Sequence, residues 1–177
     1  ERAWSDALKP VTEHLIARES TSAREALEPI LAANPGDADA WYLHGESYML
    51  ELNWEEAGTS FEKAVTADPD FAEARKRQLG ALIGQRDCDT AMPLIATYQE
   101  LRPDDHEALV MRSFCKGAEN DHAGALEDVK LACERGFEDA CKVVPRLEGR
   151  LAWIEKKEAE LAEQKAAAEG GEGGTPE

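Results

Sequence analysis

Residues 38–71, ADAWYLHGESYMLELNWEEAGTSFEKAVTADPDF, decide the fold of this chain. Two of their residues, Ala57 and Pro69, recur along the chain at a strict interval of 34 residues. The recurring prolines are Pro35, Pro69 and Pro103, and the recurring alanines are Ala23, Ala57, Ala91 and Ala125. A period of 34 residues is typical of stacked helix-turn-helix units. We therefore expect an all-α helical solenoid.

Small and large residues occupy places in this segment that suit two crossing helices. Gly45 and Ala57 are small where the helices would meet, and Pro69 would end the second helix. The large residues that would fill the space around the crossing are Trp41, Tyr48 and Phe61. The spacing of all these residues resembles that of the tetratricopeptide repeat.

The resemblance implies a right-handed superhelix of antiparallel helix pairs with a C-terminal capping helix. The expected segments are a degenerate first repeat or N-terminal cap (1–37), two tetratricopeptide repeats (38–71 and 72–105), a tetratricopeptide-like repeat (106–139), the capping helix (140–163) and a disordered, acidic, glycine-rich tail (164–177). The later repeats depart from the pattern, because Arg75 replaces the aromatic residue and Leu79 and Ser113 replace the glycine. The remaining matches still support three repeats, the number that a stable stack requires.

An amphipathic helix is expected after the repeats, following a break or kink at Pro145. Its apolar face would carry Leu147, Leu151, Ile154 and Leu161. A terminal helix with one polar side prevents the last repeat from exposing its apolar face. The residues beyond 163 have too little apolar surface to offset their ordering entropy, which favours a disordered tail or a linker.

The four cysteines point to disulfides rather than to a metal. No two are spaced as zinc ligands usually are. Cys133 and Cys141 flank ERGFEDA, a helix end and glycine turn that can bring the two side chains together. This stretch also resembles the disulfide-stapled Sel1-like repeats of secreted bacterial proteins. Cys88 and Cys115 are expected near the same end of antiparallel helices. Two disulfides would indicate an oxidising compartment; the alternative is that small buried cysteines fill helix-packing positions.

The chain is strongly acidic, with 37 Asp and Glu against 20 Lys and Arg and a formal net charge of −17. This charge disfavours binding to nucleic acid and to an anionic membrane surface. It leaves open a partner that carries positive charge, although surface glutamates also serve solubility alone. No segment approaches the length of a membrane span.

No catalytic motif is present, and we expect a protein that is not an enzyme and that carries no cofactor or metal. The four histidines lie at unrelated places, and His44 occupies a repeat position that suits a packed side chain. The run from Asp104 to Glu107 has the composition of a metal site, but it precedes a helix, where aspartates cap free amides.

The resemblance to tetratricopeptide arrays also implies a concave groove lined by the first helix of each repeat. The residues at the groove positions are Asp39, Tyr42, Glu46, Met49 and Leu50 in one repeat, Lys76 and Ile83 in the next, and Val110 and Phe114 in the third. Such a groove suits a peptide with apolar anchors and some positive charge. The alternative is that Met49, Ile83 and Phe114 pack against the terminal helix or a second copy of the chain.

The sequence thus predicts a non-catalytic module that binds a protein or peptide, located outside the bacterial cytoplasm in the periplasm or envelope. A cytoplasmic location stays open if the cysteines are reduced. Two other functions remain as alternatives: a structural or oligomerisation unit of an envelope assembly, and a regulatory domain of a larger protein.

Overall fold

A computed structural model describes residues 4–171, and the chain divides into two compact units, Glu1–Met111 and Arg112–Glu177. After one 3-10 turn at Asp6–Leu8, the helices are α1 (Lys9–Ile16), α2 (Ser20–Ala33), α3 (Ala38–Leu50), α4 (Trp54–Ala67), α5 (Ala72–Gln85), α6 (Cys88–Leu101), α7 (Glu107–Ala118), α8 (His122–Glu134) and α9 (Glu138–Gly171). The part of the chain that the structure describes contains no strand, so the all-α prediction is confirmed.

The 34-residue period is repeated in the backbone of the turns. α1, α3, α5 and α7 are each followed by a residue with a left-handed backbone, and these residues are Arg18, Leu52, Arg86 and Asn120. In each turn the amide of the next residue donates to a carbonyl five residues earlier, as from Asn53 to Tyr48 at 3.0 Å. This bond closes a Schellman motif, which ends one helix and turns the chain into the next.

A capping side chain precedes each of the helices α4, α6 and α8, and these caps also recur at intervals of 34 residues. Asn53, Asp87 and Asp121 precede α4, α6 and α8, and each accepts a hydrogen bond from the amide three residues later. Such caps satisfy amides that have no partner within the helix. The turn and the cap together mark the start of α4, α6 and α8.

The first unit is held together by small residues facing aromatic rings. Ala57 and Phe61 on α4 are fully buried. A Cβ atom built on Gly45 of α3 would lie 2.6 Å from Cε1 of Phe61, closer than packed atoms can approach. The predicted helix crossing is therefore present, with glycine required on one side and a phenylalanine ring on the other.

In the second unit, α8 and α9 are joined by the predicted disulfide between Cys133 and Cys141, whose Cα atoms lie 4.7 Å apart. The turn between the helices passes through Gly136 at φ 94°, a conformation that glycine adopts without strain. Cys88 and Cys115 are also disulfide-bonded, and none of the described cysteines is free.

The C-terminal helix is longer than expected. Helix α9 passes through Pro145 without breaking and continues to Gly171, so residues 164–171 of the predicted disordered tail are helical. The physical reason is that Gln164, Lys165 and the alanines after them are strong helix formers that extend a helix already nucleated. Residues 172–177 of the predicted tail lie outside the described residues.

Helix α1 has a proline as its second residue. Pro10 is compatible with α1 because it lies in the helix's first turn, where its missing amide would have had no partner. None of the helices in residues 4–171 is both long enough and apolar enough to cross a membrane.

Candidate functional site

The first unit contains an open groove between α1 and α3, with a volume of about 290 Å³. The residues that line this α1–α3 groove are Trp4, Thr12, Leu15, Ile16, Tyr42, Leu43, Glu46 and Leu50. Three of them, Tyr42, Glu46 and Leu50, are residues that the repeat positions predicted for a binding groove. The groove therefore contains three of the five α3 residues that were predicted, and α1 adds a second wall.

The floor of the groove is aromatic and rigid. The Trp4 ring stacks on the Tyr42 ring, with 5.7 Å between their centroids and 19° between their planes. Tyr42 in turn contacts the rings of Phe61 and Phe71, at 5.7 and 5.0 Å between centroids. Because Phe61 and Phe71 are buried in the core, Tyr42 has no room to swing away. A ligand would meet a fixed aromatic surface.

The rim of the groove is apolar and open to solvent. Ile16 is 83% exposed, which is unusual for a large aliphatic side chain. Leu15 and Leu50 beside it are half-buried. These three side chains offer an incoming apolar group surface that is not fully covered within the chain.

A carboxylate, Glu46, closes one side of the groove. Burial raises the pKa of Glu46, the nearby Arg77 lowers it and Glu73 raises it, so the net pKa lies above its ordinary value. Nε of Arg77 lies 3.1 Å from Oε1 of Glu46 and 3.5 Å from Oε1 of Glu73. Within residues 4–171, neither Arg77 Nε nor Glu46 Oε1 makes a hydrogen bond, so the contact between these two atoms is an ion pair only.

One guanidinium thus faces two carboxylates, which leaves an excess of negative charge beside the groove. Lys76, predicted as a groove residue, does not reduce this excess. Its ammonium lies 3.3 Å from Oδ2 of Asp105 and also contacts Glu107. A positively charged group of a ligand would therefore meet Glu46 in a region where it is attracted.

The other predicted groove residues do not line the α1–α3 groove. Asp39, Ile83 and Val110 are half-buried elsewhere on their helices, and Met49 packs against the core of the first unit. Phe114, in the second unit, is 41% exposed. A role in binding for these five residues stays a prediction.

Five of the eight lining residues were not predicted from the sequence, namely Trp4, Thr12, Leu15, Ile16 and Leu43. The spacing of Leu8, Val11 and Leu15 could have located α1, because Leu8 and Val11 are buried and Leu15 follows on the same side. Trp4 lies before the first helix, and no local pattern indicates that it would stack on Tyr42.

The histidine predicted to pack in the core is structural. Nδ1 of His44 lies 2.9 Å from Oγ of Ser60, and the imidazole ring contacts the rings of Trp41 and Tyr48 edge-on. Burial, followed by the charges of Arg24 and Lys63, lowers the pKa of His44 to about 4. The imidazole is therefore neutral at physiological pH. Within residues 4–171, no group of three or more His, Cys, Asp or Glu side chains could hold a metal ion.

Solved structures resemble this chain over most of its length, whereas no protein-family model matches it and no curated protein matches it at a significant level. A structure of MamA 41-end from Desulfovibrio magneticus RS-1 is 17% identical, with a TM-score of 0.74 over 97% of this chain and 100% of that one. Another MamA crystal structure is 20% identical, with a TM-score of 0.72 over 93% of this chain and 99% of that one. YrrB, described as a TPR protein with an unusual peptide-binding site, is 20% identical, with a TM-score of 0.68 over 82% of this chain and 76% of that one.

Proposed function

We propose that this chain, whose fold is that of the tetratricopeptide-repeat proteins, is a non-catalytic module that binds a peptide or protein segment in the α1–α3 groove. The observation that carries the proposal is the apolar rim of Leu15, Ile16 and Leu50 around a fixed aromatic floor. Pockets of this kind bind through a few apolar anchors, while a small number of polar groups set the orientation.

The ligand is a segment with one apolar anchor and a neighbouring positive charge. The anchor inserts beside Ile16 and Leu50 and covers their exposed surface. The positive charge lies near Glu46, where Glu46 and Glu73 together outnumber Arg77. YrrB, a TPR protein with an unusual peptide-binding site, shares this fold, which supports a peptide as the class of ligand.

The test begins with peptides selected from a random library against the immobilised full chain. Binding of a selected peptide is then measured by fluorescence anisotropy with wild-type protein and with Ile16→Ala. Because Ile16 is mostly exposed, the variant is expected to fold normally. We expect its affinity to fall about fivefold to tenfold, which corresponds to about 1 to 1.4 kcal/mol of lost apolar contact.

Two further variants complete the design. Leu161→Ala also removes an exposed aliphatic side chain, but in the second unit, and should leave binding unchanged. Glu46→Gln should weaken binding of peptides that carry Lys or Arg and should reduce the salt dependence of their affinity. Selected peptides that bind Ile16→Ala and Glu46→Gln as tightly as wild type would show that ligands use another surface.

We also propose that the protein acts outside the bacterial cytoplasm, in the periplasm or envelope. The two disulfides support this location, because disulfides persist in oxidising compartments and are rare in reducing ones. Intact-mass measurement after alkylation without reductant, on protein isolated from its native host, tests the proposal. Unmodified cysteines are expected, and four alkyl groups would remove its basis.

A further inference from the structure

A second pocket in the first unit lies where α5 begins and α6 ends, and it has a volume of about 160 Å³. Its walls are largely apolar, formed by Pro69, Ala72, Leu101 and the ring of Tyr98. Leu101 is 59% exposed, so a ligand could cover substantial apolar surface there. None of the residues that line the α1–α3 groove lines this pocket.

The charged residues of the pocket are Arg75, Arg102 and Asp70. The pocket thus has more basic than acidic residues, whereas the whole chain has nearly twice as many acidic as basic residues. Among the ion pairs of the described residues, none involves Arg75, Arg102 or Asp70. Within residues 4–171, neither guanidinium group therefore forms an ion pair with a carboxylate.

A further carboxylate, that of Asp105, contacts the hydroxyl of the pocket residue Tyr98 and is already engaged. It accepts a hydrogen bond from the Tyr98 hydroxyl at 2.7 Å, and its Oδ2 lies 3.3 Å from the Lys76 ammonium. Its negative charge is offset by Lys76 rather than by the arginines. The pocket consequently keeps a positive balance where Arg75 and Arg102 line it.

One of the two arginines is held in place. Nη2 of Arg75 donates to the backbone carbonyl of Pro69 at 2.9 Å, which fixes one arm of the guanidinium against the pocket wall. The remaining N–H groups of a fixed guanidinium can donate to the two oxygens of a carboxylate in the same plane. Arg102 adds a second positive charge on the same pocket.

We propose that this arginine pocket binds an aliphatic carboxylate, with the carboxylate on Arg75 and Arg102 and the aliphatic body against Leu101, Pro69 and Ala72. The C-terminal residue of a peptide and a free aliphatic acid both present this chemistry. The apolar walls favour such a ligand over a fully polar anion, because a polar anion would leave Leu101 uncovered.

The experiment titrates the full 15N-labelled chain with N-acetyl-L-leucine and follows the backbone amides of Ala72 and Leu101 by NMR. N-acetyl-L-leucinamide has the same shape without the charge, and we expect it to bind at least about tenfold more weakly. Arg102→Gln should weaken binding of the acid by a similar factor. Arg86→Gln removes an exposed arginine outside the pocket and should leave binding unchanged.

A second titration distinguishes the two sources of the ligand. Tighter binding of acetyl-Ala-Ala-Leu than of N-acetyl-L-leucine supports a peptide C-terminus, and equal binding supports a free acid. The proposal is overturned if the acid and the amide bind equally, if inorganic phosphate binds as tightly as the acid, or if Ala72 and Leu101 show no saturable shift.

Discussion

Two helix pairs of this protein, α3 with α4 and α7 with α8, hold equivalent crossings by different chemistry. His44 and Ser60 form a neutral contact across the first pair, 2.9 Å between Nδ1 and Oγ. Two repeat periods later, the equivalent residues are Arg112 and Asp128. Arg112 donates from Nε and Nη2 to the two oxygens of Asp128, at 2.8 and 2.6 Å.

The residues beside these two contacts also differ: an aromatic ring lies beside the first and an ammonium group beside the second. Tyr48 packs beside His44, whereas its equivalent Lys116 places its ammonium 3.1 Å from Oδ2 of Asp128. The Asp128 side chain is only 5% exposed, so its charge depends on these two partners. The first pair is held by rings and a neutral hydrogen bond, and the second by a nearly buried ion cluster.

The two helix pairs share their turns and caps, whereas the chemistry of the crossing varies. Asn53 and Asp121 cap α4 and α8 in the same way, and Leu52 and Asn120 adopt the same left-handed conformation in the turns before them. The backbone repeat is therefore shared although the central contacts are not.

The largest effect is expected from Asp128→Ala, which leaves Arg112 and Lys116 without their shared carboxylate. Removing one partner of a buried ion pair costs several kcal/mol, and we expect about 3 kcal/mol in the free energy of unfolding, measured with urea. Glu127→Ala changes the exposed neighbour and should cost less than about 0.5 kcal/mol. Similar losses for the two variants would mean that the ion cluster does not hold this crossing.

The next largest effect is expected at the disulfide that joins α8 to α9 in the second unit. Replacing Cys133 and Cys141 together by serine removes a cross-link across a short loop, and we expect a loss of about 2 to 3 kcal/mol. Urea unfolding of oxidised wild type and of the double variant measures it. An unchanged midpoint would show that helix packing alone secures α9.

A third variant places a residue of the α7/α8 pair at the equivalent position of the α3/α4 pair. Gly45→Ser introduces the residue found at the equivalent place of the second unit, Ser113, into the space of the Phe61 ring. We expect overpacking to cost about 1 to 3 kcal/mol in thermal or urea unfolding. Gly80→Ser is the matched control, because a Cβ atom there meets nothing within 4 Å. Equal effects at Gly45 and Gly80 would place the tight crossing elsewhere.

The last effect separates the two contacts by their dependence on pH. The pKa of His44 is lowered to about 4 from its ordinary 6.5, so the unfolded chain binds a proton that the folded chain does not as pH falls from about 6.5 to 4. Stability should decrease across this window, and His44→Gln should reduce the decrease. The pKa of Asp128 lies below its ordinary 3.8, so the contribution of its ion cluster is kept until pH falls below that value. A pH profile that His44→Gln does not alter would contradict the assignment for His44.

The sequence predicted the parts of this fold that recur in side-chain type. Proline and alanine carry the 34-residue period, and Gly45 with Phe61 marks the crossing in residues 38–71, where a Cβ atom on Gly45 would clash with the Phe61 ring. The left-handed turns were not predictable from residue type, since Leu52 and Arg86 occupy them instead of glycine. Helix α9 also continues beyond residue 163, where the sequence predicted that it would end, because strong helix formers extend a nucleated helix without an apolar partner.

The candidate groove was predictable only on its α3 side. Tyr42, Glu46 and Leu50 follow from their places in the best repeat. The wall from α1 did not follow, because the first repeat lacks the aromatic and small residues that would have set its register. The stacking of Trp4 on Tyr42 is a tertiary contact made by a residue outside any helix, and no local pattern encodes it.

The most direct test of the binding claim is an NMR measurement of intermolecular NOEs between a selected peptide and the methyl-labelled chain. If the α1–α3 groove holds the ligand, the apolar anchor of the peptide will show NOEs to the methyl groups of Leu15, Ile16 and Leu50. NOEs confined to methyl groups outside the groove, such as those of Leu82 on α5 and Leu94 on α6, would contradict binding in the α1–α3 groove.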